Sequence, residues 1–494
     1  MNISFLENEY WYGGYTKLGI EMPISNKSKI EIDLSINETP NQMSTWFISS
    51  KGRYLYKDEG YCISFIEGEI ICPDDIILKE GFDNLKGAYL DVRNNRNVKV
   101  NYCSEYINKI VYNTWIELTF NQNQKDVLEY ANEIIRQGMP PGIIMIDDGW
   151  SDYYGKWRFN KEKFPEPKLM VDELHKMGFE VMLWICPFIT PDTLEFRETR
   201  DKCYLVLDEE ENIYIAKWWN GYSAVLDIGK KEASDWLNIQ LNTLMELGID
   251  GFKFDAGDSI YYPQNGNIYS RQWAEFSAKY KLNELRVCTN SYDLPLMQRL
   301  CDKNHSWNNN GVNSLIPDSL TASLLGYGYI CPDMIGGGEY LNFNENIEDL
   351  DQDLFIRHCE AACLLPCMQF SAAPWRILTK DNFQKISSLI NVRNRYLGEL
   401  KAAFDEFCRS AEPIIKPLEY IFPNQNVEAV MDQFMLGNHI LVAPIYEANV
   451  RERNVIIPRG KWKNELTSEE FETDRTISVS IYSNKGELIV LRLL

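Results

Sequence analysis

Histidine is scarce in this 494-residue chain, with 4 in all, and none of its 12 cysteines falls in a Cys-x-x-Cys pair. The usual ligand spacings of zinc sites and redox motifs are therefore missing, and neither a metal nor another cofactor is expected. Cys359, Cys363 and Cys367 recur every four residues with only His358 nearby, which reads as a buried stripe on one helical face. Positive charge is short as well, since 50 Lys and Arg face 72 Asp and Glu for a formal charge of −22. Such a surface repels nucleic acid and anionic membranes, so neither is expected as a partner. No apolar run approaches a membrane span, and the N-terminal MNISFLENEYWYGGY lacks a charged region leading into an apolar one. These absences predict a reduced, cytoplasmic protein, although a removed leader would leave the same trace.

What the chain does have is bulk and aromatic surface. A length of 494 residues allows two or three domains, and 13 Trp with 28 Tyr exceed what packing usually demands. Flat amphipathic rings suit the apolar faces of sugars. Residues 1–114 carry short alternating runs, such as Lys29 to Leu34 and Val98 to Tyr102, separated by Gly, Asn and Asp. That pattern predicts an N-terminal antiparallel β-sandwich without a convincing helix.

From Trp115 the pattern changes to strands alternating with helices. Strands are expected at Trp115 to Phe120, Gly142 to Ile146, Glu180 to Ile185, Gly251 to Asp255 and Arg286 to Cys288, then near His305 to Trp307, at Tyr327 to Cys331 and at Met368 to Phe370. Helices fall between them, for instance at Asn123 to Gln137, Lys231 to Leu247 and Leu350 to Leu365. Eight such units predict an α/β fold, a (β/α)8 TIM barrel over 115–400, and the strand patterns after it predict a C-terminal antiparallel β domain over 401–494.

Barrel enzymes keep their chemistry at the C-terminal ends of the strands. Those ends offer Asp147, Asp148 and Trp150 after the second strand, Trp184 at the third, Lys253 and Asp255 at the fourth, Trp307 and Asn310 at the sixth, and Asp333 at the seventh. Gly251 to Asp255 reads as a buried strand, and Ala256-Gly257 turns the backbone away so that Asp255 stands at its tip. Carboxylates and tryptophans around one mouth suit carbohydrate chemistry better than hydride or phosphoryl transfer.

Several motifs carry a resemblance. They are Asp255 in FKFDAGD, Arg299 in PLMQRL, Asp333 within SLIPDSLTASLLGYGYICPDMIGGG, and the C-terminal DQFMLGNHILVAP and IIPRGKW. The chain resembles glycoside hydrolase family 31, a family of retaining α-glycosidases, and is most similar to its α-galactosidase-like branch. The resemblance implies that Asp255 is the nucleophile, that Lys253 contacts the sugar and keeps Asp255 ionised, that Arg299 binds hydroxyls, and that Asp333 holds a loop or a hydroxyl. It also implies that Trp218 and Trp219, in the long insertion after the third strand, wall the sugar pocket. The family's acid/base aspartate aligns best with Asn310, and an amide cannot do that work. Three readings stay open there: an Asp→Asn change at 310, another acid serving in a shifted register, or a natural noncatalytic carbohydrate-binding paralogue. Asp318 lies inside the expected helix, and Asp302 precedes the expected sixth strand.

The expected substrate is an oligosaccharide or glycoside with a terminal α-linked sugar. Asp147-Asp148 at one strand end can accept from neighbouring hydroxyls such as O4 and O6, which favours α-galactose; α-glucosides, α-xylosides and sulfoquinovosides are the alternatives. The sequence leaves a homo-oligomer open.

Overall fold

The structure is a computed structural model, and it describes residues 1–94, 102–345 and 347–494. The expected Val98 run falls almost wholly on residues 95–101 and so lies outside the described residues. Two antiparallel sheets begin the chain: one of four strands, and one built on Tyr10–Tyr15, Gln42–Ser49 and Tyr54–Tyr56. Phe47 of one sheet meets Phe65 of the other at 5.2 Å between ring centroids, so the sheets bury their apolar faces against each other. One expectation fails here, because Leu85–Asn94 is a helix. Its buried Leu85, Ala88, Tyr89 and Val92 recur at helical spacing.

The barrel strands are Val111–Asn113, Ile143–Ile146, Glu180–Ile185, Gly251–Phe254, Leu282–Leu285, Gln298–Arg299, a divided seventh at Ile330–Cys331 and Met334–Ile335, and Gln369–Phe370. Every neighbouring pair is parallel. The first half of the seventh strand pairs with the sixth and its second half with the eighth, while the eighth returns to the first, so the sheet closes. The second to fourth strands are buried almost throughout, as parallel strands covered by helices must be.

Three strands lie away from their expected places. Trp115–Leu118 is a short helix and the first strand precedes it, because the Asn113 side-chain oxygen takes the Trp115 N–H and bends the chain into a turn. The fifth strand is Leu282–Leu285, and the apolar residues after it leave the barrel: Cys288–Thr289 pairs instead with Gln42 and Met43 of the N-terminal sheet. The sixth is Gln298–Arg299, not His305 to Trp307, which places Asp302 after a strand end rather than before one.

The N-terminal sheets also shape the mouth of the barrel. Gln42 Nε2 donates to the carbonyls of Arg286 (2.6 Å) and Arg299 (2.9 Å) and so pins the backbone of both arginines. A Cβ on Gly19 would stand 2.4 Å from the Pro317 and Asp318 backbone, so only glycine lets the turn Thr16–Glu21 press against the helix Leu315–Leu324. At the other end, the helix Leu397–Ser410 crosses residue 400, and the antiparallel sheet that closes the chain begins at Ile415 around a core containing Trp462.

Candidate active site

A cavity of about 700 Å³ opens at the C-terminal ends of the barrel strands. The fourth strand brings Asp255 to it. Gly251 allows that strand close to its neighbour, since a Cβ there would meet the Leu282 carbonyl at 2.1 Å, and the Asp255 N–H donates to the Ile185 carbonyl at 2.9 Å. Ala256 (φ 57°) and Gly257 (φ 77°) then turn the backbone away.

Asp255 is a buried carboxylate inside a cage of donors. Its Oδ1 accepts from Arg286 Nε at 2.9 Å and from the Ala256 N–H at 2.8 Å, and its Oδ2 accepts from Trp184 Nε1 at 3.0 Å, with Lys253 Nζ at 3.8 Å. Burial alone would push its pKa up; the charges of Arg286, Lys253 and Arg299, with the Trp184 hydrogen bond, hold it well below the usual carboxylate range. Asp255 is therefore ionised and oriented, as a nucleophile needs to be.

The two acidic residues after the second strand differ in their partners. Asp147 is consumed by the protein: Oδ2 accepts from Lys253 Nζ and Asn113 Nδ2, both at 2.8 Å, and Oδ1 accepts from the Asp148 N–H. Asp148 accepts from Tyr154 Oη and Asn220 Nδ2, both on Oδ2 at 2.9 Å. Burial pushes its pKa up to about 7, against the Tyr154 hydrogen bond and with help from the negative charges of Asp147 and Asp255.

The tryptophans divide in the same way. Trp184 lines the cavity, whereas Trp150 sits behind it and donates from Nε1 to the Trp184 carbonyl at 2.8 Å. Trp219 is 50% exposed and lines the cavity with the Arg286 guanidinium 5.4 Å from its ring centre. Trp218 is buried beneath it, against Phe188 at 4.3 Å. Trp307 donates to Asp351 and does not line the cavity.

Arg299, at the end of the sixth strand, is 1% exposed and lies behind the cavity wall. Its Nη1 donates to Asp302 Oδ1 at 2.6 Å and to Asp333 Oδ1 at 2.9 Å, and its Nε lies 3.2 Å from Glu284. Asp333 is fully buried and holds loops: its Oδ2 accepts from the Lys303 and Gly338 N–H groups. Asn310 lines the exposed rim, its N–H donating to the Asn308 side chain and its carbonyl accepting from the Asn304 N–H. Among the described residues no three His, Cys, Asp or Glu side chains form a group able to hold a metal ion.

Among the cavity residues that the sequence did not single out as site residues, Arg286 and Asp302 stand out. Arg286 bridges Asp255 and Asp258, and it follows the fifth strand directly. Asp302 lines the cavity with a side chain 39% exposed, on the loop after the sixth strand. Burial would raise its pKa, and the Arg299, Lys253 and Arg286 charges outweigh that, while the Asp255 charge opposes them. Asp302 and Asp255 therefore sense each other across one pocket. The signal for both residues was a polar side chain just beyond a short apolar run, visible only once the strand is placed correctly.

Residues 106–303 match the Glycosyl hydrolases family 31 TIM-barrel domain, and residues 411–490 match the Glycosyl hydrolase family 31 C-terminal domain. The chain belongs to glycoside hydrolase family 31. Family 31 relatives include myogenesis-regulating glycosidase of Mus musculus, 31% identical over 387 residues that are 73% of this chain and 53% of that protein. Sulfoquinovosidase of Escherichia coli (strain K12) is 24% identical over 64% of this chain and 50% of its own length. The chain thus spans about half the length of the curated relatives it matches. A family 31 α-xylosidase from a soil metagenome, solved with xylose, superposes over 100% of this chain and 79% of its own with a TM-score of 0.83 at 19% identity, a likeness of fold.

Proposed function

We propose that this chain is a retaining, exo-acting α-glycosidase with Asp255 as nucleophile and Asp302 as acid/base. The observation that carries this reading is the pairing of one buried carboxylate, held ionised by the surrounding cations, with one partly exposed carboxylate in the same cavity, at the ends of the fourth and sixth strands. A retaining mechanism needs one ionised carboxylate and one carboxyl group that is protonated at the first step; the Arg299, Lys253 and Arg286 charges hold Asp302 ionised in the empty site, so it has to gain that proton as substrate binds. An Asp255 oxygen attacks the anomeric carbon as the bond to the leaving oxygen breaks, and Asp302 delivers its proton to that oxygen. Asp302, now a carboxylate, takes a proton from water, whose oxygen displaces Asp255 from the sugar. Sugar entering the cavity strips water from Asp302 and raises its hold on the proton before the first step.

The preferred sugar on this reading is α-galactose. Asp148, rather than the tandem Asp147-Asp148, is the acceptor left for a hydroxyl pair, because Lys253 and Asn113 already occupy Asp147. Seven carboxylate residues against four cationic ones line the cavity, which disfavours an anionic sugar such as a sulfoquinovoside. Initial rates on p-nitrophenyl α-galactoside, α-glucoside, α-xyloside and sulfoquinovoside rank the glycone, with the first-released anomer read by proton NMR. Fastest turnover of another glycone overturns the galactose preference, and release of the β anomer first overturns retention. Binding of sugar with no turnover of any substrate points instead to a carbohydrate-binding protein.

The state of Asp148 leads to a pH dependence. A proton on Asp148 belongs on Oδ1, which receives neither Tyr154 nor Asn220, and it converts an acceptor into a donor. We expect kcat/KM to fall as pH drops through about 7 and Asp148→Asn to remove that inflection. The same shift acts on stability. Between the unfolded value near 3.8 and about 7 the folded chain holds a proton that the unfolded chain has lost, so stability falls as pH rises through that window. Asp148→Asn should therefore raise Tm more at pH 8 than at pH 5, and equal shifts at both would refute the assignment.

A further inference from the structure

Two of the 4 histidines meet at a single peptide group beside the loop that carries Asp302. His305 stands three residues after Asp302, and His358 belongs to the helix Gln352–Cys363; both are buried. His305 Nδ1 lies 2.8 Å from the Gly336 carbonyl oxygen, and the Gly336 N–H donates to His358 Nδ1 at 3.2 Å. A carbonyl can only accept and an amide N–H can only donate, so these two bonds fix both imidazoles. His305 carries its proton on Nδ1 and His358 carries its proton on Nε2. Neither Nε2 atom makes a hydrogen bond among the described residues.

The peptide they grip is part of the support for Asp302. Gly336 sits at φ 95°, and a Cβ there would stand 2.6 Å from the Phe355 ring, so glycine is required at the grip. The run Gly336-Gly337-Gly338 is packed into the loop after Asp302. The Gly338 N–H shares Asp333 Oδ2 with the Lys303 N–H, and the Glu339 N–H donates to the Lys303 carbonyl. His305 donates from its own backbone to Asn342 Oδ1 at 2.7 Å, and Trp307 Nε1 donates at 2.8 Å to Asp351, the N-cap of the His358 helix. The Asp302 loop is thereby tied to a barrel helix through Gly336, with a neutral imidazole on either side.

Acid works against this arrangement. A second proton on His358 would sit on Nδ1, against the Gly336 N–H that donates there, and would break that bond. Burial, with the His305 and Lys303 charges, brings the His358 pKa down to about 3. Burial lowers that of His305 too, against the Gly336 carbonyl and Asp351, which favour its charged form. The other charged groups close by have partners of their own: Arg357 and Glu360 pair on the His358 helix, and the Glu339 carboxylate takes the Asn342 N–H.

We propose that His305 and His358 are positioning residues for the acid/base: as neutral, opposite tautomers they clamp the Gly336 peptide from both sides and so hold the loop that aims Asp302 at the leaving oxygen. This proposal rests on the glycosidase reading and deepens it. The unfolded chain takes up a proton on His358 near 6.5 and the folded chain does not, so stability is present above that value and is lost as pH falls from 6.5 toward about 3.

Nitrogen-15 spectra of histidine-labelled protein read the tautomers. His305 should be protonated on Nδ1 and His358 on Nε2, with His358 still neutral at pH 5; matching tautomers, or a cationic His358 in the folded chain at pH 5, overturn the clamp. Positioning is read in kcat/KM on two substrates that share the fastest glycone: a disaccharide, whose leaving oxygen needs a proton, and the glycosyl fluoride, which needs none. His358→Leu should lower kcat/KM on the disaccharide about fivefold, the effect of one lost hydrogen bond, and on the fluoride by less than about twofold. His358→Asn, whose Oδ1 takes the place of Nδ1, should restore the disaccharide rate and lose less Tm than wild type between pH 7 and pH 4.5. Equal losses on the two substrates mark a merely structural histidine and overturn the positioning role, as do an undiminished disaccharide rate and equal Tm losses in His358→Asn and wild type. Absence of fluoride turnover by wild-type enzyme overturns the glycosidase reading itself, and the positioning role with it.

Discussion

Asp255→Asn is expected to lose at least ~10⁴-fold in kcat on every glycoside, equivalent to ~5.5 kcal/mol of transition-state stabilisation. The loss should be the same for good and poor leaving groups, because an amide cannot form the glycosyl ester whatever departs. The fold should survive the change. Arg286 keeps Asp258 at 2.9 Å and Lys253 keeps Asp147 at 2.8 Å, so neither cation is left buried without a counter-charge. A depressed carboxylate pKa contributes stability above the ordinary unfolded value and loses it as pH falls, so Asp255→Asn should lower Tm more at pH 7 than at pH 3. Single-turnover kinetics with a fluorinated glycosyl donor check the chemical step: the parent enzyme accumulates a covalent adduct on residue 255 by mass spectrometry and the variant does not. An adduct on another residue would move the nucleophile.

The parts legible in the sequence were those with long, strongly patterned elements. The helices Gln124–Arg136 and Lys231–Leu247 and the strands Ile143–Ile146, Glu180–Ile185 and Gly251–Phe254 stand within a residue or two of where their apolar spacing puts them. These strands carry Asp147, Asp148, Trp184, Lys253 and Asp255 to the cavity. The far side of the barrel was harder, because Gln298–Arg299, Ile330–Cys331 and Gln369–Phe370 are two-residue ladders too short to show a period. There the apolar pattern also serves a second partner. Cys288 and Thr289 look like barrel strand yet pair with the N-terminal sheet, a contact that no local window contains. That misplacement hid Arg286, and the displaced sixth strand hid Asp302. Trp150, Trp218 and Arg299 show the converse limit: sequence position put them at strand ends or in the insertion, but burial behind Trp184, Trp219 and Asp302 makes them supports.

Asp302→Asn separates the two candidates for the acid/base. On a disaccharide, whose leaving alkoxide needs a proton, we expect kcat/KM to fall about 10²- to 10⁴-fold. On the glycosyl fluoride the first step needs no acid, so that loss should be far smaller. The second step still lacks its base, and azide, which attacks without giving up a proton, should restore turnover and leave a glycosyl azide of the retained configuration. The structure makes this variant a clean one: Arg299 keeps Asp333 at 2.9 Å and Glu284 at 3.2 Å, so removing one charge from its cluster leaves the guanidinium paired. Asn310→Asp provides the opposing arm. Its backbone ties the rim together through Asn304 and Asn308, and a new carboxylate there should change kcat little if Asp302 already supplies the proton. Should Asn310→Asp instead create activity that the parent chain lacks, while Asp302→Asn changes nothing, the proton donor belongs at position 310 and the parent chain binds a sugar it does not cut. Azide rescue of Asp302→Asn is the outcome that the paired carboxylates of the fourth and sixth strands require.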